Sequence, residues 1–476
     1  MHKILIKIKS ILKKEQLWEI CFYTVVFLSI LAFAILQPLG DPPDEINRYK
    51  VAQYICLHGT LPHGADPEIA IVGYGASYAF QPIFPYMVMG YLMRFLFLFV
   101  TSNFYILSYA ARFVNVIAGV LMAVFVRKIS KEIFPSKLSA WVMTLLIIFL
   151  PQNIFLHSYI NTDSFAALSA SIIIYACLRG LRDQWSVKTS MLLAVGIILC
   201  ALSYYNAYGV IIAAIMIFCY SFFRLGSFRP ANIEQRKIFF QKTLFISIIV
   251  LVGAGWWFLR NALLYEGDFL GMAARSKCAI ETAFPQFNPL TKATIQGSGE
   301  SVLYLFRETD FKYYLFKSFI AYFGPMAIPT YEWIYNIYKF IFVFGLICLI
   351  LPVKRVEYLV HLDQKTRGFF HISMLVDSII PACLCVWYSY SWDYQPQGRY
   401  ILPLLIPFMY FLTVGFTRFD SFLSERNMKL SLVTKGFQIL LIVFLCISLF
   451  ATILGVVIPY YLAMPNWFFE AIASFS

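Results

Sequence analysis

The stretch FYTVVFLSILAFAILQPLGDPPDEINRYK, residues 22–50, joins an apolar run to a segment rich in charge and proline. The run approaches the roughly 20 residues that an α-helix needs to cross a hydrocarbon core of about 30 Å. Three carboxylates, Asp41, Asp44 and Glu45, follow directly after it. Charged side chains beside a bilayer are costly unless they are solvated, paired or part of a functional site. This segment is therefore the first candidate for a functional site.

The composition of the whole chain is typical of a membrane protein. Of its 476 residues, 60% are hydrophobic and only 13% are charged, and a soluble chain could not bury so much apolar surface. We predict an all-α polytopic membrane protein with about 11 transmembrane helices, at 18–38, 104–126, 138–157, 163–180, 189–203, 206–223, 239–259, 334–353, 369–389, 400–416 and 436–460. The first span lacks a small-residue cleavage site, which indicates a retained anchor rather than a signal peptide.

The basic residues predict the orientation of the chain. They cluster between the apolar runs, at 127–137, 179–188, 224–242, 354–367 and 418–435, and such clusters stay on the cytoplasmic side. All five are cytoplasmic if the N-terminus is inside and the apolar stretch 82–100 lies in the interface instead of crossing. We therefore expect a multi-pass protein of the plasma (inner) membrane with its C-terminus outside. This topology accounts for the net charge of +13 without a nucleic-acid partner.

The predicted topology divides the chain into four regions. A basic cytoplasmic N-terminus, 1–17, precedes a transmembrane module, 18–259, whose extracellular first loop spans 39–103 and carries interfacial helices. The segment 260–333 contains the polar, breaker-rich FNPLTKATIQGSGE and is interpreted as an extracellular loop or lid. The remainder, 334–476, supplies the C-terminal transmembrane helices and an outer tail.

Four polar clusters emerge at the outer ends of different spans. They consist of Asp41, Asp44, Glu45, Arg48 and Lys50; of Asn161 and Asp163; of Arg260, Asn261 and Asp268; and of Gln397 and Arg399. Each has a structural alternative, because acids stabilise helix N-termini and arginines anchor helices at interfaces. Their convergence at one depth on one face favours a functional site.

Such a set of residues suits group transfer from a phosphate-linked donor. A carboxylate accepts the proton of an acceptor hydroxyl while that oxygen attacks. A cation or a metal ion neutralises the charge that develops on the departing phosphate. A lipid-linked donor would explain why the site lies at headgroup depth, with the hydrocarbon tail entering a groove between spans.

The same residues resemble motifs of the GT-C superfamily of integral membrane glycosyltransferases. DPPDEINRYKVAQYICLHGTLP (41–62) is similar to the first extracellular loop of that superfamily, and DEINRY within it to aminoarabinose transferases. LPQNIFLHSYINTDSF (150–165) looks like the second acidic motif. RNALLYEGDFLG (260–271) and QGRYILPLL (397–405) most closely resemble the DUF2142 group, and similarity extends to protein-mannosyl transferases.

The resemblance implies a polyprenyl-phosphate sugar donor, an extracytoplasmic glycan, lipid or protein acceptor, and inversion at the anomeric carbon. It matches Asp44 to the catalytic base, Glu45 to its partner acid and Asp163 to the second acidic position. A basic residue common before the interfacial helix is replaced here by Gln81, so Arg260, Arg399 or Lys50 is expected to bind the phosphate. Metal use differs among branches of the superfamily, and a divalent cation, Mg²⁺ or Mn²⁺, is compatible with the acids.

Two other functions fit parts of the sequence. A polysaccharide polymerase or ligase would also place arginines and acids on the outer face. A transporter or flippase for lipid-linked sugars should carry ionisable residues near the bilayer midplane, where Asp377 is the main example. The clustering of acids at the outer ends of the spans favours the glycosyltransferase.

Overall fold

The protein is built almost entirely of α-helices. The computed structural model describes residues 2–223, 233–355, 357–427 and 430–464; part of the predicted basic loop 224–242 and the predicted tail beyond Met464 lie outside them. The helices are α1 (His2–Leu36), α2 (Glu45–His58), α3 (Phe84–Phe99), α4 (Phe104–Ile133), α5 (Lys137–Ile148), α6 (Pro151–Leu156), α7 (Asp163–Asp183), α8 (Val187–Ala201), α9 (Gly209–Phe222), α10 (Ile233–Leu264), α11 (Met272–Thr282), α12 (Tyr304–Arg307), α13 (Phe311–Ile320), α14 (Glu332–Cys348), α15 (Gln364–Ser391), α16 (Leu405–Ser424), α17 (Leu430–Thr452) and α18 (Ile458–Ala463).

Short elements connect the helices. A two-stranded antiparallel hairpin, β1 (Tyr322–Phe323) and β2 (Ile328–Pro329), pairs Tyr322 with Pro329. Single 3-10 turns occupy Pro67–Ile69, Tyr78–Phe80 and Tyr205–Ala207, and a longer 3-10 segment runs over Gly398–Leu404. A π-helical turn, Ile453–Val457, joins α17 to α18.

The predicted all-α membrane architecture is confirmed. Within the described residues, eight helical segments are long and apolar enough to cross a membrane: Glu15–Leu36, Phe104–Ile133, Asp163–Asp183, Tyr205–Phe222, Ile233–Leu264, Gln364–Ser391, Gly398–Ser424 and Leu432–Ala463. The other three predicted spans coincide with shorter helices, α5, α8 and α14, of 12, 15 and 17 residues. The chain is therefore a multi-pass integral membrane protein.

The predicted span 138–157 is interrupted in the structure. Helix α5 ends at Ile148, and after two intervening residues Pro151 begins α6. Proline fixes its own φ and lacks a backbone N–H, so it suits the first turn of a new helix but breaks a continuing one. After this break, α6 ends at Leu156 and the turn 157–162 leads to Asp163, the first residue of α7.

Helix α7 occupies the centre of the bundle. It packs against α4, α8 and α9, and 78% of its most apolar 18-residue stretch is buried inside the protein. Its sequence DSFAALSASIIIYA is rich in Ala and Ser, and small residues let neighbouring helices approach closely. In contrast, only 11% of the most apolar 18-residue stretch of α10 is buried. This helix exposes Leu251, Val252 and Leu263, as expected of a helix that faces lipid.

The first loop folds against one end of this bundle, here called the first-loop end. Helix α2 packs on α3, and a core that includes Tyr49, Ile55 and Met89 joins them. Helix α2 stops at Gly59, whose φ of 72° places it in the left-handed region that glycine adopts without strain. This packing fixes the acidic segment that precedes α2.

Candidate functional site

Asp44 lies at the junction between the first loop and α2. Its backbone is left-handed, with φ 63° and ψ 5°, a conformation that costs energy for a residue other than glycine and is common at functional sites. The side chain is 35% exposed and Oδ2 accepts a hydrogen bond of 2.6 Å from Nη2 of Arg399. The strained turn directs Asp44 away from the helix core and toward an open space.

Arg48 connects Asp44 to Asp163. One turn along α2, its Nη2 lies 3.9 Å from Oδ2 of Asp44. Its Nη1 donates a 2.9 Å hydrogen bond to Oδ2 of Asp163, the first residue of α7. The two acids that the sequence singles out thus contact the same guanidinium group, although they are 119 positions apart in the printed sequence.

Arg399 reaches Asp44 because its backbone approaches α13 closely. The preceding residue, Gly398, donates its N–H to Oγ of Ser318 at 2.7 Å, and a Cβ at Gly398 would lie 2.2 Å from the backbone nitrogen of Phe319. Only glycine permits this contact. The guanidinium of Arg399 is 6% exposed and lies 5.1 Å from the ring centre of Tyr400.

The charges around Asp44 favour its ionised form. Burial acts to raise the pKa of this carboxyl, but Arg399 and Arg48, with hydrogen bonds from Arg399 and Tyr78, hold the pKa below its ordinary value. Burial raises the pKa of Tyr78 to about 12, so its hydroxyl remains a donor at neutral pH. Asp44 is therefore an anionic acceptor in this site.

Glu45 has a different environment from its neighbour. It is fully buried, and Arg112 on α4 binds it in a bidentate manner through Nε at 2.8 Å and Nη2 at 2.6 Å. The backbone N–H groups of Gly40 and Ile160 donate to the same carboxylate at 2.9 and 3.0 Å. Glu45 thus ties together α1, α2, α4 and the turn before α7, and it does not line the cavity beside Asp44.

Asn161 shapes the turn that delivers Asp163. Its Nδ2 donates to the carbonyls of Leu156 and Tyr159, and its Oδ1 accepts from the backbone and hydroxyl of Ser164. All of its amide groups are used within the turn, so its observed contacts are structural.

A cavity of about 260 Å³, here called the Asp44 cavity, lies at the first-loop end. It is lined by residues of α2, α3, α11 and α15, by residues 203–206 and by Tyr400. Aromatic side chains form much of the lining: Tyr78, Tyr86, Tyr204, Trp387, Tyr388 and Tyr400. Rings of this kind present apolar faces with polar edges, which suits the faces and hydroxyls of a sugar.

Arg275 on α11 also lines the Asp44 cavity. Its guanidinium makes no hydrogen bond or ion pair with the described part of the chain, unlike Arg48 and Arg399. Arg275 is therefore a half-exposed cation of the cavity whose donors are not committed to acceptors among the described residues.

Several predicted residues lie away from this cavity. Asp41 accepts a 2.6 Å hydrogen bond from Tyr461 of α18, Lys50 donates to the carbonyl of Ala70 and Arg260 donates to that of Pro62. Asn261 is buried beside the Phe80 carbonyl. These contacts fasten the first loop to neighbouring helices. Burial, partly offset by Tyr461, raises the pKa of Asp41.

Two further predicted residues have local roles in the structure. Asp268 accepts from the backbone N–H groups of Gly271 and Ala274 at 3.0 and 2.9 Å, and so caps the start of α11. Gln397 donates to the side chain of Gln395 at 2.7 Å, next to the Gly398–Leu404 segment. Neither contributes to the lining of the Asp44 cavity.

Sequence reasoning missed two arginines. Arg112 lies within an apolar helix, in YAARFVNV, and an ionisable residue at such a position needs a buried partner; that signal could have identified it as the partner of Glu45. No comparable signal existed for Arg275, because it lies in the segment 260–333, which the sequence predicts as an extracellular loop and where exposed cations are ordinary; the structure places it on α11.

The donor set does not fit a metal ion. Within the residues that the structure describes, no group of three His, Cys, Asp or Glu side chains is close enough to hold one. Asp44 and Asp163, the best candidates, are already paired with Arg48 and Arg399. The cationic groups that face them are guanidinium groups.

The fold is similar to those of two proteins of known structure. ArnT from Cupriavidus metallidurans, bound to undecaprenyl phosphate, is similar at a TM-score of 0.50 and 12% sequence identity, over 96% of this chain and 74% of ArnT. The oligosaccharyltransferase of Archaeoglobus fulgidus, in complex with zinc and sulfate, is similar at 0.52 and 15%, over 90% of this chain and 52% of that protein. This chain thus spans about half of the latter. No protein-family model and no curated protein sequence matches the chain. At these identities the likeness concerns the fold alone.

Proposed function

We propose that this protein is a membrane glycosyltransferase that moves a sugar from a polyprenyl-phosphate donor to an acceptor outside the cytoplasm. The observation that carries the proposal is the contact of two carboxylates, Asp44 and Asp163, with one guanidinium beside an aromatic-lined cavity. The GT-C fold and the first-loop motifs agree with it. The basic loops favour a cytoplasmic N-terminus, and on that basis we propose that the cavity lies on the outer side of the plasma membrane.

In the proposed reaction, Asp44 is the general base. Its carboxylate takes the proton from the acceptor hydroxyl as that oxygen attacks the anomeric carbon of the donor. The bond from the anomeric carbon to the phosphate oxygen breaks, and its electron pair leaves with the lipid phosphate. Attack opposite the leaving group inverts the anomeric configuration.

The arginines provide the positive charge that the reaction needs. Arg275 has uncommitted donors and is proposed to bind the departing phosphate, where charge builds up in the transition state. Arg48 and Arg399 hold Asp44 in its ionised form and position it. A phosphate that competes for these guanidinium groups would weaken their hold on Asp44 and raise its basicity when the donor is bound.

The remaining predicted residues receive supporting roles. We propose that Asp163 positions Arg48 and that Glu45, clamped by Arg112, fixes the turn on which Asp44 lies. Because Asp44, which lines the cavity, and Asp163, which lies behind Arg48, are both paired with arginines, the proposed chemistry proceeds without a step through a divalent cation.

The test is an Asp44→Asn variant of the purified protein in lipid nanodiscs. Replacement of a general base is expected to reduce transfer from a polyprenyl-phosphate sugar by 10²-fold or more, while the donor still binds. Asp66→Asn is a matched control, since Asp66 lies in the same loop, caps a 3-10 turn and contacts Tyr54, but does not line the Asp44 cavity. Transfer by Asp44→Asn at the rate of the control would refute the assignment of the base.

A further inference from the structure

A second cavity, of about 950 Å³, lies between the first loop and the segment 264–284. Its lining includes His63, Phe80, Tyr265, Lys277, Glu281 and Phe284. It is larger than the Asp44 cavity and is formed by connecting segments and α11 rather than by the membrane-crossing parts of the helices. None of the roles proposed above uses it.

Helix α11 separates the two cavities. Met272 and Arg275 line the Asp44 cavity, whereas Ala274, Lys277 and other residues of the same helix line the second one. The stretch 78–82 has the same property, since Phe80 faces the second cavity and Gln81 the first. The two cavities therefore share one thin wall.

The wall is held by the first loop. Gly75, with φ 76°, lies so close to α11 that a Cβ there would be 2.1 Å from Oγ1 of Thr282. The backbone N–H of Phe284 donates to the carbonyl of Gly73 at 2.8 Å. No residue of α11 is fully buried, but Ala274, Cys278 and Ala279 pack against a cluster that contains Ala76, Phe80 and Tyr265. This packing, the contacts at the end of α11 and the cap from Asp268 hold the helix in place.

The second cavity offers uncommitted polar groups of both signs. Lys277 and Glu281, one turn apart, make no side-chain hydrogen bond or ion pair with the described residues. His63 uses only Nδ1, which accepts from the N–H of Ala65. The rings of His63 and Tyr265, with centroids 5.1 Å apart, form an apolar patch beside these groups.

We propose that the second cavity binds the acceptor, and that the acceptor presented there is a hydroxylated saccharide chain. A sugar hydroxyl both donates and accepts, which matches a lysine, a carboxylate and an imidazole nitrogen in one cavity. Sugar rings also present apolar faces that pack on aromatic side chains. The inference rests on the proposed function: a glycan that is held here and is long enough to extend around α11 presents its terminal hydroxyl to Asp44 in the neighbouring cavity.

Cys278 provides a direct measure of occupancy. It lines the second cavity, is partly exposed and is not part of a disulfide. Full-length protein in nanodiscs is treated with a water-soluble maleimide, and mass spectrometry quantifies modification of this cysteine. The probes are short oligosaccharides released by mild acid from the envelope polysaccharide of the host. At a concentration ten times the dissociation constant, a bound oligosaccharide should slow the modification about tenfold, because only the free fraction reacts.

Variants make the measurement specific to the cavity. Lys277→Ala and Glu281→Gln should raise the dissociation constant about tenfold or more, as expected for a lost charged hydrogen bond, so that the same oligosaccharide concentration slows the modification only about twofold or less. Ser276→Ala is the matched control, because Ser276 is on α11 but lines neither cavity. Asp44→Asn should keep full protection, since it alters the proposed chemistry and not the second cavity.

The outcomes separate this inference from the proposed function. Protection that is lost in Lys277→Ala and kept in Ser276→Ala supports the acceptor site, even if sugar transfer is absent. Transfer to an oligosaccharide that never protects Cys278 would overturn the inference while leaving the glycosyltransferase intact. Protection by unrelated peptides or detergent, but not by any oligosaccharide, would also overturn it.

Discussion

Replacement of Arg112 by methionine is expected to destabilise the first-loop end of the protein more than the matched substitution Arg94→Met. Arg112 donates five hydrogen bonds: two to Glu45, and one each to the carbonyls of Ala34, Gln37 and Pro38. Three of these acceptors lie at the end of α1, where helix carbonyls lack partners within the helix. Methionine fills similar space without any donor.

The magnitude follows from the burial of the pair. Both side chains are at most 2% exposed, so Arg112→Met leaves Glu45 without its counter-charge in a nearly water-free position. Breaking a buried pair in this way typically costs about 3–5 kcal/mol. Addition of Glu45→Gln removes the stranded charge, and the double variant is expected to recover about 0.5–3 kcal/mol of that loss.

The assay is reversible unfolding in mixed micelles with increasing denaturing detergent. Arg94→Met is the matched control: Arg94 is half-buried on α3 and donates to the carbonyls of Cys56 and Leu57 at 2.8 and 3.0 Å. Its loss should cost about 1 kcal/mol. The role assigned to the buried pair is wrong if Arg112→Met lowers the free energy of unfolding no more than Arg94→Met does. It is also wrong if the loss in the double variant equals the sum of the losses in Arg112→Met and Glu45→Gln.

Three other predictions concern the Asp44 cavity. Arg399→Ala should move the acid limb of the pH–rate profile to higher pH, because the guanidinium holds the pKa of Asp44 down and activity is lost as pH falls through that pKa; Arg399→Lys should move it less. Chelation with EDTA should change transfer less than twofold, and a larger loss restored by Mg²⁺ or Mn²⁺ would contradict the pairing of both acids with arginine. Arg275→Ala should lower kcat by about 10²-fold or more, measured at saturating donor, whereas an unchanged kcat would remove Arg275 from the phosphate site.

The positions of most helices could be predicted from hydrophobicity, since every predicted span coincides with a helix or, for 138–157, with a broken pair of helices. That break could also have been read from Pro151, but the length of the apolar run masked it. The lengths of the helices were less predictable. Helices α5 and α8 have only 12 and 15 residues, fewer than the roughly 20 that a helix needs to cross a bilayer, and both pack against neighbouring helices.

The acidic pair shows where sequence reasoning stops. Asp44 and Glu45 are adjacent and chemically alike, and a motif assigns both to the reaction. The structure separates them: the left-handed backbone at Asp44 turns its side chain to the cavity, while Glu45 enters the core and meets Arg112. A one-dimensional pattern contains neither the strained φ nor the partner on α4.

The sequence by itself determined that this is a multi-pass helical protein with polar clusters at the ends of its spans. These properties follow from composition and local hydrophobicity, which act within a few turns of helix. Only the tertiary structure decided that Arg48 contacts both Asp44 and Asp163, that Arg275 has no ion-pair partner among the described residues and that α11 divides two cavities. Those facts depend on side chains from distant segments meeting at distances of a few ångströms, which packing of the whole bundle sets.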